Sequence, residues 1–473
     1  MSDSNGKRLV IIGAGPGGYP AAFNAAHQGF DVTLIDQRAN PGGVCLYVGC
    51  IPSKALLHVA RVIEETKEAA NWGVTFSEPK FDLDKLRKFK DKVVTKLTSG
   101  LGAMAKQHKV KFMQGRAAFN DNKSLTVSDE NGKTKKVEFD FALIATGSRP
   151  AMPKVFDVGS DRVMTSTEAL DLPDIPKKLL VVGGGYIGLE LGTVYQALGS
   201  KVTVVEMLSN ILPGADKDLS EVLAKSFKAR VESILTDTRV SEVKPGKSNV
   251  KVKLLSADLN EERTYDRVLV TVGRAPNSQH LGLENLNVKV TERGFIEVDS
   301  RRCTGEPNIY AIGDVAGEPG LAHKATFEAK TAINAMAGEP AAYDPAAIPA
   351  VVFTDPELAW TGLTEADCLN RGIDHKITKF PWAASGRAVT LDRPDGLTKL
   401  IVDPHTDRIL GVGIVGISAG DLIAGATLAI EMAATAEDVA STIHPHPTTS
   451  ETFMEAAELY YGHSPHYIAR KGR

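Results

Sequence analysis

Cysteine is scarce in this chain, four in 473 residues. That count argues against a disulfide-stapled scaffold, and any disulfide in such a chain reads as catalytic. An excess of charge of either sign is also missing. The formal net charge of −3 gives no global signal for nucleic acid. No apolar run approaches the length that crosses a bilayer, so no membrane span is expected. Met1–Lys7 is short and polar, which predicts no leader peptide. One close cysteine pair without a second pair or matching histidines lacks the ligands of a structural zinc site, and no metal is expected. What remains is an ordinary soluble composition, 43% hydrophobic and 24% charged, in a chain long enough for roughly three domains.

Glycine, by contrast, is placed with a pattern. The apolar run Leu9-Val10-Ile11-Ile12 leads into Gly13-Ala14-Gly15-Pro16-Gly17-Gly18, a small-residue helix to Gly29, and a second apolar run ending at Asp36. A lone GxGxxG is weak, but strand, glycine loop, helix, strand and acid together form the dinucleotide fingerprint. The unit recurs. Gly13, Gly15, Gly18, Gly29 and Asp36 reappear as Gly183, Gly185, Gly188, Gly199 and Glu206, each 170 residues on (183 − 13, 206 − 36). The glycines let the backbone approach a pyrophosphate, the helix N-terminus attracts its charge, and the acid accepts hydrogen bonds from a ribose. A tight glycine turn without a ligand explains one copy better than two. Two units imply two dinucleotides. At the second site Glu206 stands where a 2′-phosphate would need a cation, which favours NAD over NADP.

Two of the four cysteines stand five apart in Gly42-Gly43-Val44-Cys45-Leu46-Tyr47-Val48-Gly49-Cys50-Ile51-Pro52-Ser53-Lys54, just after the first unit. On a regular helix that spacing separates the Cα atoms by roughly 8 Å, too far for a disulfide. Cys45 is therefore expected in a loop or distorted first turn, and Cys50 near the start of a helix running through Pro52. A helix N-terminus lowers a thiol pKa and stabilises the thiolate that does exchange chemistry. The two residues alone also allow a pair of buried structural cysteines; the flanking motifs favour a redox pair. Cys303 and Cys368 are far apart in sequence and receive no role.

Further motifs follow in order: Ala145–Pro150, Gly183–Glu190, Val272–Asn277, Ala311–Asp314 and His444–Glu451. With them the chain resembles the flavoprotein disulfide reductases over nearly its whole length. The wording from Cys45 to Lys54 points to the lipoamide branch, whose activity is oxidation of protein-bound dihydrolipoyl groups with NAD⁺. The resemblance implies FAD on the first unit and NAD on the second. It assigns cofactor contacts to Gly13, Gly15, Gly18, Asp36, Lys54, Ala117, Thr146, Gly147, Asp314 and Ala322. It adds Gly183, Gly185, Gly188, Glu190, Glu206, Val240, Gly273 and Arg274. Lys54 and Glu190 match a pair near the reactive edge of the flavin, and Asp314 an acid on its ribityl chain. Cys45 and Cys50 match the redox disulfide, with Cys45 the more exposed sulfur. His446 and Glu451 match the base and its orienting carboxylate, supplied to the partner subunit in a homodimer. Tyr47 and Pro445 stand where Asn and Ala are common. The implied partners are a lipoyl-bearing acyltransferase of a 2-oxoacid dehydrogenase complex or a glycine-cleavage carrier protein, in the cytoplasm.

The expected fold is α/β, with two Rossmann-like dinucleotide-binding domains and a C-terminal α+β dimerisation domain. Boundaries are expected at 1–150 for the FAD domain and 151–276 for the NAD domain. A central domain completing the FAD site follows at 277–345, and the interface domain at 346–473. Spaced apolar residues across Phe81–Gln107 suit an amphipathic helical insertion. Strand-like Gly396–Val402 and Ile409–Val415 flank a turn at Asp403–Asp407, as in a hairpin. Ala424–Ala434 reads as a packed interface or core helix. A sister reductase acting on glutathione is the main alternative; Glu206 argues against its NADP-linked members. A tail Ser464–Arg473 without cysteine argues against mercuric reductase. A non-catalytic flavin scaffold or redox sensor would need none of Cys45, Cys50, His446 and Glu451.

Overall fold

The computed structural model describes residues 6–468; the expectation for Met1–Lys7 falls mostly outside them. β1 (Arg8–Ile12) is apolar at every position after the first and buried at all four of them, as a strand covered on both faces must be. It pairs in parallel with β2 (Asp31–Asp36) across α1 (Gly18–His27). The sheet runs Ile309–Ala311, Phe141–Ile144, β1, β2, β3 (Lys111–Gln114), parallel throughout. Full burial of side chains such as Leu9, Ile11 and Leu34 contributes about 1.5–3 kcal/mol each.

The second unit repeats the first. Strand Lys178–Val182, helix Tyr186–Ala197 and strand Lys201–Val205 form a parallel sheet with Ser233–Leu235, Arg267–Val270 and Val163–Met164. Each parallel sheet carries a three-stranded antiparallel meander, spanning 116–138 in the first unit and 239–265 in the second. Ser148–Pro150 pairs antiparallel with Arg274–Pro276, tying the exits of the two units together.

Residues 277–345 build no sheet of their own. Their strand Ile309–Ala311 completes the edge of the first sheet. Their helix Ala322–Met336 shares a core with α1, through Ala329, Ala332 and Ile333 against Ala21, Ala22 and Ala25. The central segment is thus the closing piece of the first unit.

Between β2 and β3 lie three helices, α2 (Gly43–Val48), α3 (Cys50–Glu68) and α4 (Leu83–Gln107). Cys45 lies in the first turn of α2, which opens on Gly42 (φ +151°) and Gly43 (φ +58°), and Cys50 opens α3, as the distorted-turn expectation had it. A second break falls between them at Gly49 (φ −145°, ψ −118°). A Cβ on Gly49 would stand 2.9 Å from the Val44 carbonyl oxygen, so only glycine lets the break bring the two cysteines together. The run Gly43–Trp72 is long and apolar enough to cross a membrane by length and composition, against the expectation from sequence. Here it is broken at Gly49 and packs Leu56, Leu57 and Ile63 into the protein core.

The C-terminal unit is an antiparallel sheet ordered Ala350–Val352, Glu357–Gly362, Ile409–Gly416, Leu397–Val402, Lys376–Pro381. The expected hairpin is present, with Leu397 opposite Val415. Helices Ala419–Glu431 and Glu451–Tyr460 cover it over a core that includes Trp382, Phe380, Leu400 and Ile414. On the first of these helices Ile423, Ala426 and Ile430 are buried, while Leu428 is exposed along with Met432 just past its end.

Candidate active site

The two glycine loops are built alike. A Cβ on Gly18 would collide with the Gly13 carbonyl oxygen, and one on Gly188 with that of Gly183, so each helix packs onto its strand only with glycine there. Gly13 (φ +99°) and Gly183 (φ +107°) hold the left-handed turn. At the ends of the second strands, Asp36 accepts the Ala14 N–H at 2.7 Å and the Arg38 N–H at 3.0 Å. Glu206 accepts the Gly184 N–H at 2.7 Å and the Leu208 N–H at 2.8 Å. These partners are themselves 170 residues apart. Each carboxylate is braced against its own loop and keeps lone pairs for a ribose.

From the first loop a cavity of about 390 Å³ runs to the cysteines. Gly13, Gly15, Asp36, Cys45, Cys50, Lys54, Thr146, Gly147, Glu190, Arg274, Asp314 and Ala322 all line it. The long groove, open backbone at one end and ionisable groups at the other fit FAD. In the second unit the space beside Gly185, where no atom lies within 4 Å of an added Cβ, and the carboxylate of Glu206 fit NAD.

Lys54 donates to Glu190 at 2.8 Å and lies over the Phe353 ring at 4.5 Å. Glu190 is 3% exposed and also accepts the Phe353 N–H at 3.1 Å. The pair joins α3 to the helix of the second unit and to the C-terminal unit.

Cys45 and Cys50 stand as two thiols in hydrogen-bond contact. Their acidities are split. The bond to Cys45 pulls Cys50 down to about 7, against its burial and with help from the Lys54 charge. The same bond, then burial, drives Cys45 well above the ordinary thiol range. Both cysteines line the cavity; in the single chain, residue Cys50 is exposed and Cys45 half-buried. Tyr47 points away from both sulfurs, donating to the Asn40 carbonyl at 3.1 Å beneath Arg38.

Asp314 sits in the turn Gly313–Val315 after Ile309–Ala311. Two neighbours hold this turn that sequence reasoning missed. Ser148 donates to Asp314 and accepts from Arg274 at 2.7 Å. Fully buried Glu328 accepts the Gly313 N–H at 2.6 Å and pairs with Arg302 and Lys324. Tyr186, also missed, opens the second-unit helix onto the cavity, its phenol pushed up to about 12 by burial. Ser148 and Tyr186 lie inside motifs already visible in the sequence; Glu328 has no local signal.

Ala117 and Val240 do not line the cavity. Ala117 is buried in the first meander, and Val240 lies on the first strand of the second. Gly273 (φ +138°) lies at the exit of the second unit, and Arg274 turns toward the flavin side.

His446 and Glu451 lie together but away from the cysteines. The His446 Nδ1 is 2.8 Å from a Glu451 oxygen, whose other oxygen accepts the Thr448 N–H at 2.8 Å. Burial pushes Glu451 up, but the Thr448 bond and the His446 ring together hold it below the ordinary range. His446 is 73% exposed at its side chain and does not line the cavity of its own chain. His444 bonds the Thr442 carbonyl at 2.8 Å, a structural use.

The chain belongs to the pyridine nucleotide-disulphide oxidoreductases, whose family model matches residues 7–329 and whose dimerisation domain matches residues 348–457. Within that class it is 46% identical over 462 residues to the dihydrolipoyl dehydrogenase of Haemophilus influenzae, covering 98% of this chain and 96% of that protein. The dihydrolipoyl dehydrogenase of Vibrio cholerae is also 46% identical, over 98% of this chain and 97% of that protein. LpdA from Mycobacterium tuberculosis superposes with a TM-score of 0.89 at 27% identity, over 96% of this chain and 99% of that one. The HOCl-induced flavoprotein disulfide reductase RclA from Escherichia coli gives 0.85 at 28%, over the same shares.

Proposed function

We propose that this chain is a dihydrolipoyl dehydrogenase, oxidising protein-bound dihydrolipoyl groups to lipoyl groups with reduction of NAD⁺. The observation that carries the reading is the split thiol pair beside Lys54–Glu190 at the end of the dinucleotide cavity. With Glu451 on Nδ1, the Nε2 of His446 is left as the base. It takes a proton from one substrate thiol, and the thiolate attacks Cys45 Sγ of the oxidised pair. The Cys45–Cys50 bond breaks and Cys50 leaves as thiolate, the better leaving group because its pKa is the lower. The second substrate sulfur, losing its proton, displaces Cys45 and closes the lipoyl disulfide. Cys45 takes up a proton, as its raised pKa favours. FAD, when bound, supplies a two-electron acceptor for the reduced pair and a hydride donor for NAD⁺.

Residues 1–150 with 277–345 hold the flavin, 151–276 the nicotinamide nucleotide, and 346–473 form the homodimer. Exposed His446, outside its own chain's cavity, fits delivery to the opposite subunit. A lipoyl-bearing acyltransferase or a glycine-cleavage carrier protein presents the substrate. The cytoplasm, where free thiols persist, is the compartment.

The test is one preparation assayed with dihydrolipoamide and NAD⁺, and with glutathione disulfide and NADPH. The reading expects turnover with the first pair only. Turnover with the second pair alone would make the chain a sister reductase.

A further inference from the structure

Tyr47 stands between the two cysteines, where the disulfide reductases commonly carry Asn, and the reaction does not use it. Its ring lies under the Arg38 guanidinium at 4.4 Å, and its hydroxyl donates to the Asn40 carbonyl at 3.1 Å. A Cβ on Gly42 would stand 3.2 Å from Cε2 of Tyr47, so glycine there lets the side chain lie close against the loop. Gly42 in turn donates its N–H to the Ala14 carbonyl at 2.8 Å. From α2, Tyr47 therefore braces residues 38–42, the stretch that leaves the ribose acid Asp36.

That stretch forms part of the flavin cavity wall, where Asp36, Gln37, Arg38 and Gly43 all take part. The Arg38 backbone is fixed relative to the ribose acid, its N–H donating to the Asp36 carboxylate at 3.0 Å. Its side chain is not so satisfied. Among the described residues, the guanidinium finds no carboxylate within ion-pair distance and no carbonyl to donate to, and the Tyr47 ring is its one electrostatic partner. The other two cations lining the cavity are committed. Lys54 is taken by Glu190 at 2.8 Å, and Arg274 by Ser148 at 2.7 Å with Asp314 nearby at 3.8 Å.

Holding a long, rotamer-rich side chain in one place costs entropy. A stack on an aromatic face offsets part of that cost and leaves the donors in the guanidinium plane free. FAD, which this cavity fits, carries an anionic diphosphate next to the ribose that Asp36 serves. A planar fork of N–H donors two residues beyond that acid complements such an anion. An Asn at position 47 offers no ring for the stack, so the departure at 47 and the uncommitted cation at 38 belong to one arrangement.

We propose that Arg38 is a further FAD-binding residue, the cation for the ribose–phosphate of the AMP half, and that Tyr47 is the positioning residue that holds its guanidinium at the cavity wall. The element that bears Cys45 and the AMP end of the cofactor are thereby joined through one side chain. Tyr47 points away from both sulfurs, so it acts on how tightly the cofactor is held and not on thiol exchange.

The experiment measures how fast FAD leaves the holoenzyme, from the rise of free-flavin fluorescence after dilution into buffer below the unfolding transition. The variants are Arg38→Gln, Tyr47→Leu, Tyr47→Asn, Tyr47→Phe and the double Arg38→Gln/Tyr47→Leu. Arg38→Gln is expected to speed release about ten-fold or more, the size of a charge-assisted hydrogen bond. Tyr47→Leu and Tyr47→Asn lose the stack and speed release about three- to ten-fold. Tyr47→Phe keeps the ring and restores most of the wild-type retention. In the Arg38→Gln background Tyr47→Leu adds less than about two-fold, since the residue it positions is gone. Added salt speeds release from wild type more than from Arg38→Gln. Unchanged release in Arg38→Gln overturns the proposal. So do additive losses in the double variant, which would make Tyr47 a packing residue only. A shifted visible spectrum of the bound flavin in Arg38→Gln overturns the assignment to the AMP half. Unchanged FAD release in Tyr47→Leu with a moved alkylation midpoint at Cys50 overturns it in favour of a tuner of the thiol pair. If Tyr47→Leu does not fold, Tyr47→Asn takes its place in the double variant.

Discussion

Lys54→Met tests how the site sets the acidity of Cys50. Three causes act on that thiol in order: the bond from Cys45 lowers it, burial raises it, and the Lys54 charge lowers it again. Glu190 follows and raises it. Removing Lys54 deletes a lowering charge and leaves a 4%-exposed carboxylate without its cation. A neighbouring opposite charge shifts a pKa by about 1–3 units. Since Lys54 ranks behind two larger causes, a rise of about one unit, or about 1.4 kcal/mol, is expected. Near pH 7.5 the thiolate fraction then falls from roughly three quarters to roughly one quarter. Lys54→Met/Glu190→Gln removes both opposing charges, and the midpoint returns part of the way. The assay is the pH dependence of iodoacetamide alkylation at Cys50 in the two-electron-reduced holoenzyme, resolved by peptide mass spectrometry. An unchanged midpoint in Lys54→Met, or a further rise in the double variant, would refute the reasoning.

Glu206→Arg should cut NAD⁺ efficiency by about ten-fold or more and admit NADP⁺, since it removes the ribose acceptor and supplies a cation for the 2′-phosphate; wild-type turnover with NADP⁺ equal to that with NAD⁺ would count against the role of Glu206. Cys45→Ser should keep a long-wavelength band from the Cys50 thiolate on the flavin without turnover, while Cys50→Ser should lose it; identical spectra would sink the separation of sulfur roles. Glu451→Gln keeps the shape but loses the charge that orients His446, so kcat should fall about 100-fold or more, and a fall under about three-fold would show that Glu451 does not act through the ring.

The parts of this molecule that were legible in the sequence are those where local geometry admits few residues. Gly13, Gly18 and their copies 170 residues on are forced by contacts that no side chain survives, so the fingerprint could be read directly. The C-terminal hairpin was readable because a turn cluster at Asp403–Asp407 separates two apolar runs. Cys45 was placed in a first turn and Cys50 at a helix start, and both hold; what the sequence did not reveal is the second break at Gly49, whose cause is a close backbone approach. The role of 277–345 in completing the FAD site was expected from the resemblance; the strand pairing that carries it spans more than 160 residues, which no local pattern encodes. Glu328 escaped for the same reason: it holds the Asp314 turn through Gly313 from a helix that reads as ordinary amphipathic sequence. Ala117 and Val240 came from resemblance alone; Ala117 does not line the flavin cavity, and Val240 lies on the first strand of the second meander.

The central claim is that the Cys45–Cys50 pair of one chain works with His446 of the other. Mixing Cys45→Ser subunits with His446→Gln subunits tests it most directly. In a mixed dimer one site carries both lesions, and the other joins an intact Cys45 to an intact His446 across an isologous interface. Dihydrolipoamide-dependent NAD⁺ reduction is measured before and after reassortment, with mixed dimers quantified through differently tagged chains. The account predicts recovery to about half the wild-type rate per mixed dimer. No recovery with mixed dimers present would mean that each site is built within a single chain, and would contradict it.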